Sequence, residues 1–410
     1  MRIAVWHNLP SGGGKRALYD HVRGLIARGH TVEAWCPPTA DRDFLPLSPL
    51  IRERVVDLSW PVPYRLSDKY GITLQTERSL ASMDEHCRAC AEEIGRGDFD
   101  ILFANCCQFF RATSIGRFAT IPSILYLQEP YRWLYEAMPR LRWLARPRRT
   151  KSLLRLSVYK AAFADLCSNR NWRVQAREEV DNAAAFTGIL VNSYFSRESV
   201  LRAYGLDSHV CYLGIDTDRF VDQKVARDNV IIGLGSITLE KNLRLCIEAI
   251  GTLPPSRPKL QWIANYVDTH YLKEMRALAK SREVVFEPKV GLSDIELLDA
   301  LNHAVAMAYA PRLEPFGFAP LEANACGVPV IAVAEGGVRE TIVDQVNGLL
   351  VEHNPAAMAA AIDRLCTDRS FARQLGTNAR RAVEAKWGLN SAVDRLEQQL
   401  VRYARHRNLP

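Results

Sequence analysis

Ala310-Pro311-Arg312-Leu313-Glu314-Pro315-Phe316-Gly317-Phe318-Ala319-Pro320-Leu321-Glu322-Ala323 follows the apolar run 304–309 and leads into a segment containing Ala325-Cys326-Gly327. The order reads as strand, loop, helix, with a glycine turn between two carboxylates. Glu314 falls in the loop and Glu322 on the helix, both at the strand's carboxyl end. A carboxylate accepts two hydroxyl hydrogen bonds, which suits ribose or sugar diols better than phosphate. Two glutamates in isolation are ordinarily solvated, so it is their setting that makes them candidates. No histidine or aspartate accompanies them, so no metal is expected here.

The same strand–loop–helix order occurs twice more. Leu234-Gly235-Ser236-Ile237-Thr238-Leu239-Glu240-Lys241-Asn242 places Lys241 where a helix begins, at the end of a strand where ligands of open α/β sheets collect. Such a lysine either neutralises phosphate or is an ordinary solvated side chain. Ser11-Gly12-Gly13-Gly14 lies between the first strand and first helix, where glycines and helix N–H groups admit an anion. The alternative is a flexible turn. The spacing matches neither a Rossmann G-x-G-x-x-G nor a Walker loop.

Around these segments short apolar runs alternate with amphipathic stretches. Strands are expected at 3–6, 32–36, 101–104, 123–127 and 188–191, then at 230–234, 260–264, 284–286, 304–309, 328–333 and 349–351. Between the first two, Leu18, Val22, Leu25 and Ile26 recur at helical spacing. The alternation predicts an α/β protein with two doubly wound parallel sheets. The expected division is 1–212, 213–386, and a last helix within 387–410 that packs back on the first domain. The proline- and aromatic-rich region 45–70 reads as a loop insertion, and Ser293-Asp294 as a helix start.

The 410 residues are 48% hydrophobic and 24% charged, which excludes disorder and collagen-like structure. No apolar run approaches the length of a membrane span, and the N-terminus reads as a strand rather than a leader, so a cytoplasmic protein is expected. Ten cysteines, mostly in apolar segments, are read as reduced. That includes the C-x-x-C pair Cys87 and Cys90, which has no second pair to complete a zinc site.

Between Glu136 and Asp165 there is no acidic residue, but there are eight cations: Arg140, Arg142, Arg146, Arg148, Arg149, Lys151, Arg155 and Lys160. Removing them from the net +7 leaves the remainder at −1. Trp133, Trp143 and several leucines interleave with these arginines. The segment 140–160 therefore reads as a contact for an anionic membrane surface, as a face of an acceptor site, or as solvent-exposed. No nucleic-acid fold accompanies it, so no nucleic-acid partner is expected.

Taken together, the 310–350 block resembles the GT-B retaining glycosyltransferases of family 4. Glu314-x7-Glu322 matches the family's E-x7-E motif, and Gly327-Val328-Pro329-Val330-Ile331, Gly336-Gly337-Val338-Arg339-Glu340 and Asn347-Gly348-Leu349-Leu350 continue the match. Gly214-Ile215-Asp216 resembles the family's linker, Glu240-Lys241-Asn242 its lysine motif, and Gly12–Gly14 its N-terminal glycine loop. The resemblance implies two Rossmann-like domains facing a cleft and transfer of a hexose from a UDP-, GDP- or ADP-linked donor. The implied acceptor is a glycan, a lipid-linked sugar or a small molecule, and neither metal nor other cofactor is implied. It further implies that Glu322 binds the ribose hydroxyls, Glu314 the donor sugar and Lys241 the diphosphate. The amides of Gly317, Phe318, Gly13 and Gly14 would complete the phosphate cradle.

Three positions depart from the family pattern. Ser236 stands where an arginine is usual, Gln128-Glu129 where His-Asp is usual, and Asn105 where a histidine is frequent. Asn105, Gln128, Glu129 and Arg132 are the acceptor-side candidates, Ser236 stays among the donor-binding candidates, and Arg132 or Arg312 is the candidate to replace the lost charge. The departures leave open a nucleotide-sugar-binding GT-B subunit without turnover. A GT-B nucleotide-sugar epimerase or hydrolase is the other alternative.

Overall fold

The computed structural model describes residues 1–60, 76–136 and 156–405, and the chain divides into two compact units. The first comprises 1–192, 196–211 and 393–410; the second comprises 193–195 and 212–392.

The first unit is a seven-stranded parallel sheet, with β1 Arg2–Asn8, β2 Thr31–Cys36, β3 Arg52–Val55, β4 Ile101–Cys107, β5 Ser123–Tyr126, β6 Gly188–Val191 and β7 His209–Val210. Its strand order is β3-β2-β1-β4-β5-β6-β7, so the winding reverses between β1 and β4. β1, β4 and β5 are buried nearly throughout, as parallel strands covered on both faces must be. The helix Gly13–Ala27 packs against β2, with Leu18, Val22 and Leu25 fully buried.

The second unit has β8 Val230–Leu234, β9 Lys259–Ala264, β10 Phe286–Val290, β11 Ala306–Tyr309, β12 Val330–Val333 and β13 Gly348–Val351, all parallel. The order β10-β9-β8-β11-β12-β13 reverses between β8 and β11. Its core gathers Ile231, Leu243, Ile247, Ile250, Trp262, Ile331 and Ile362 around the sheet. Ser293 caps the helix Asp294–His303 in a reciprocal box with Glu296.

Two expectations require correction. The region 45–70 is not wholly a loop insertion: β3 lies inside it, though 61–70 is outside the described residues. Arg52-Glu53-Arg54-Val55 shows no apolar run because β3 is an edge strand. The strand expected at 284–286 begins only at Phe286. Glu283 takes a left-handed φ of 54° and Val284 N–H closes back on Ala279 O at 2.9 Å, so these residues finish the preceding helix. β7, two residues long, carried no periodic signal.

The last helix runs Leu389–Ala404, and its residues from Val393 onward belong to the first unit. Arg28 pairs there with Asp394, and His30 Nε2 lies 2.8 Å from Glu397. Conversely, Ser193–Phe195 belong to the second unit, because Ser193 Oγ donates to Pro315 O at 2.6 Å and Glu340 accepts from the N–H groups of Tyr194 and Phe195. All ten cysteines are free.

Candidate functional site

In the second unit the sequence candidates collect at the β8/β11 reversal, on the carboxyl side of the strands. After β8, the chain turns through Gly235 and Ser236 into a short 3-10 turn, Leu239–Lys241. After β11 comes the loop carrying Glu314. The two loops are tied together: Arg312 N–H donates to Glu240 O at 3.3 Å, and Lys241 Nζ donates to Glu314 Oε2 at 2.8 Å. Both side chains of that ion pair remain about one quarter exposed. The stem of Lys241 runs along Gly235, and Ser236 Oγ stays local, 3.4 Å from Thr238 Oγ1. Arg312 is held by Glu335 at 2.8 Å and so does not stand free as a replacement cation.

The Glu314 loop is positioned from below and from the side. Phe316 is buried against Tyr212, Phe318 and Trp387. Gly317 begins the helix Phe318–Ala325 with φ 90°, and a Cβ there would meet the Tyr309 hydroxyl at 2.5 Å. Gly337 N–H donates to Glu314 O at 2.8 Å, and a Cβ on Gly337 would stand 2.0 Å from Pro315 O. Only glycine permits that backbone approach. Glu322 lies in the helix and is 2% exposed. Pro320 occupies the first turn, where its missing N–H removes no helical bond. The helix therefore presents its positive end beside Gly317 and Phe318.

In the first unit, Gly13 and Gly14 open the first helix. The Gln128 amide lies against Gly14, 3.4 Å from where a Cβ would stand. Gln128 itself takes a left-handed φ of 59° just beyond β5. Glu129 and Arg132 do come together, at 3.2 Å, but within a wider network: Arg111 pairs with Glu129 at 3.2 Å and Arg132 with Glu136 at 2.6 Å. Asn105 is fully buried on β4 with neither amide atom bonded, and it touches none of the other candidates through a hydrogen bond among the described residues.

Sequence reasoning missed two groups. Glu179, fully buried on the helix Leu156–Ala184, accepts from Arg111 N–H at 2.9 Å, Ala112 N–H at 2.8 Å and the Tyr204 hydroxyl at 3.1 Å. Burial pushes its carboxyl up to about 7 against the pull of those donors and of Arg111. The second group is His7, Cys36 and Glu53, whose ligand atoms lie within 4.8 Å of one another, as a metal would require. His7 Nε2 already bonds Glu53 at 3.1 Å, and burial pushes the Cys36 thiol up to about 12. The buried Lys15 ammonium adds a positive charge that lowers the pKa of all three. The three residues come from three different strands, so no local spacing announces them.

Comparison with known proteins bears on both units. The family model "Glycosyl transferases group 1" matches residues 214–382, and "Glycosyltransferase Family 4" matches 11–219. A D-inositol 3-phosphate glycosyltransferase of Xylanimonas cellulosilytica is 29% identical over 246 residues, 54% of this chain and 58% of that protein. The alpha-1,3/1,6-mannosyltransferase ALG2 of Homo sapiens is 26% identical over 52% of this chain and 57% of its own length. The chain thus spans little more than half the length of these curated relatives. Among solved structures, Anabaena HepE in complex with UDP and glucose superposes with TM-score 0.70 at 17% identity, over 98% of this chain and 100% of that one. The sucrose-phosphate synthase of Thermosynechococcus elongatus gives 0.71 at 18% identity, covering 98% of each chain. The shared fold is GT-B.

Proposed function

The chain belongs to glycosyltransferase family 4, and from that premise we propose that it transfers a hexose, with retention at the anomeric carbon, from a nucleotide-sugar donor to a glycan, glycolipid or small-molecule acceptor. The observation that carries this reading is the Lys241–Glu314 pair at the β8/β11 reversal, where open α/β sheets bind ligands. A donor diphosphate takes Lys241 and the amides of Gly317 and Phe318, with Ser236 as a further contact. Glu314, released from Lys241, accepts from the donor sugar's hydroxyls, and Glu322 from the ribose. As the anomeric bond breaks, charge grows on the departing diphosphate, and a fixed cation with helix N–H groups stabilises it. That arrangement calls for no metal. Structures of HepE with UDP and with UDP-glucose favour a uridine donor as the first to test.

Glu322→Ala tests the assignment. Losing hydrogen bonds to a charged group costs about 1.5–3 kcal/mol, roughly tenfold to over a hundredfold in donor affinity. Calorimetry with UDP-glucose, GDP-mannose and ADP-glucose on wild type and variant reads the loss directly. Unchanged affinity in a folded variant would remove Glu322 from the site. Donor binding without release of nucleoside diphosphate over any acceptor would favour the non-catalytic alternative, to which Ser236, Gln128 and Asn105 point.

A lipid-linked acceptor would bring the enzyme to the cytoplasmic membrane face. Residues 140–155 of the basic segment lie outside the described residues, but its end, with exposed Lys160, lies on the helix Leu156–Ala184. There Leu156, Tyr159, Phe163 and Leu166 are 69%, 63%, 54% and 66% exposed, at i, i+3, i+7 and i+10. Such spacing places them on one face, and an apolar stripe beside cations suits peripheral binding. Each Lys or Arg at an anionic leaflet contributes about 1 kcal/mol. The protein is expected to sediment with anionic but not neutral vesicles, less so in salt or after Arg146, Arg148, Arg149 and Lys151 are changed to serine. Equal partitioning with both vesicle types would overturn the membrane claim and leave the transferase assignment standing. Among the described residues no helix is long and apolar enough to cross a membrane.

A further inference from the structure

We propose that the second unit carries a second anion-binding site, for a small molecule bearing one or two phosphoryl groups, at the amino-terminal end of its sheet. A cavity of about 500 Å³ opens there, lined by Lys224, Arg227, Arg369 and Arg373, with Asp222 as the one carboxylate. Val305 and Pro329, also in its wall, immediately precede β11 and β12, whereas Lys241 and Glu314 follow β8 and β11. The cavity and the donor loops therefore lie at opposite ends of the same strands. Its volume falls in the range of small-molecule sites.

The charges in it are not all balanced. Asp222 is taken up by Lys224 at 2.6 Å and by Arg227 at 3.6 Å. Arg227 is further fixed by the carbonyls of Cys326 and Gly327, at 2.8 and 3.3 Å. Arg369 and Arg373 stand on one face of the helix Arg369–Ala382, four residues apart. Among the described residues, Arg369 reaches Asn229 through Nη2 at 3.5 Å, while its Nη1 is buried with no acceptor. Among the described residues, no acceptor is recorded for the Arg373 guanidinium either. A buried charged donor left unpaired is costly, and two adjacent guanidinium forks match the oxygens of a phosphoryl group. Arg227 joins this wall to the carbonyls just beyond the helix that carries Glu322, so an occupant would sit one side chain away from that helix.

Titration calorimetry with inorganic pyrophosphate, at ionic strength held constant with sodium chloride, tests the proposal on four full-length forms: wild type, Lys241→Ala, Arg369→Ala and Arg373→Glu. Saturable binding that persists in Lys241→Ala and weakens at least tenfold in both arginine variants is expected. Arg373 is exposed, so its reversal leaves the fold intact as judged by circular dichroism even if Arg369→Ala does not. No saturable binding at constant ionic strength would overturn the proposal. So would binding that vanishes with Lys241 and survives in Arg373→Glu, because the anion would then occupy the donor loops.

Discussion

Replacing Lys241 with alanine is expected to lower kcat by about 10²–10³-fold, the loss seen when one stabiliser of developing negative charge is removed. Its Nζ sits 2.8 Å from Glu314 Oε2, held by a stem that lies along Gly235. With Ser236 in place of the family's usual arginine, no second side-chain cation is on this loop. Charge on the diphosphate is greatest as the sugar departs, so the lysine contributes more in the transition state than in the bound donor. KM should accordingly move much less than kcat. Lys241→Arg should recover part of the rate, since it restores the charge without the compact ammonium geometry. A variant with intact kcat and a raised KM would show uniform binding only and contradict this role. Turnover of the wild type is expected to survive EDTA, and its abolition with rescue by a divalent ion would assign the leaving group to a metal instead.

The constellation at the β8/β11 reversal is legible in the sequence because it is local. Glu314, Glu322, Gly317 and Gly337 fall within a few dozen residues, and each follows a strand whose apolar run marks it in the sequence. What the sequence does not show is why the spacing works: Gly337 matters because the Pro315 carbonyl comes within 2.0 Å of its missing Cβ, a contact between backbone segments. Nor does spacing reveal that Lys241 and Glu314 form an ion pair with each other. In the first unit the legible part is smaller. Glu129 and Arg132 are three residues apart and could be paired from sequence, but Arg111 and Glu179 come from other elements, and only the folded sheet brings them in. The edge strands β3 and β7 were missed for a related reason. An edge strand with one exposed face needs no apolar run, and Arg52-Glu53-Arg54-Val55 has none.

Glu179→Gln is expected to change the pH dependence of stability by about 3 kcal/mol between pH 4.5 and pH 8. The wild-type carboxyl titrates near 7 in the folded protein against an ordinary value of 4.5, chiefly because it is buried. A folded-state value raised in this way means the native protein holds a proton that the unfolded chain has lost. Its stabilisation is fully present below about pH 4.5 and is lost as pH rises through 7. His21 works in the opposite sense. Burial beneath Tyr126, with Arg395 adding a like charge, lowers it to about 4 from 6.5, so its contribution is lost as pH falls below 6.5. Between about pH 4.5 and 6.5 the two slopes cancel in the wild type. Glutamine removes one of them, so the variant should lose stability on acidification across that window, with buried His7 and His86 adding in the same direction. Urea unfolding of both proteins at half-unit pH steps measures the difference curve, in which shared groups drop out. The donors on Glu179, Arg111 N–H, Ala112 N–H and the Tyr204 hydroxyl, all favour its charged form. Parallel curves would mean that those donors outweigh desolvation and hold Glu179 ionised, in which case the Arg111–Glu129–Arg132 network is anchored by a permanent buried charge.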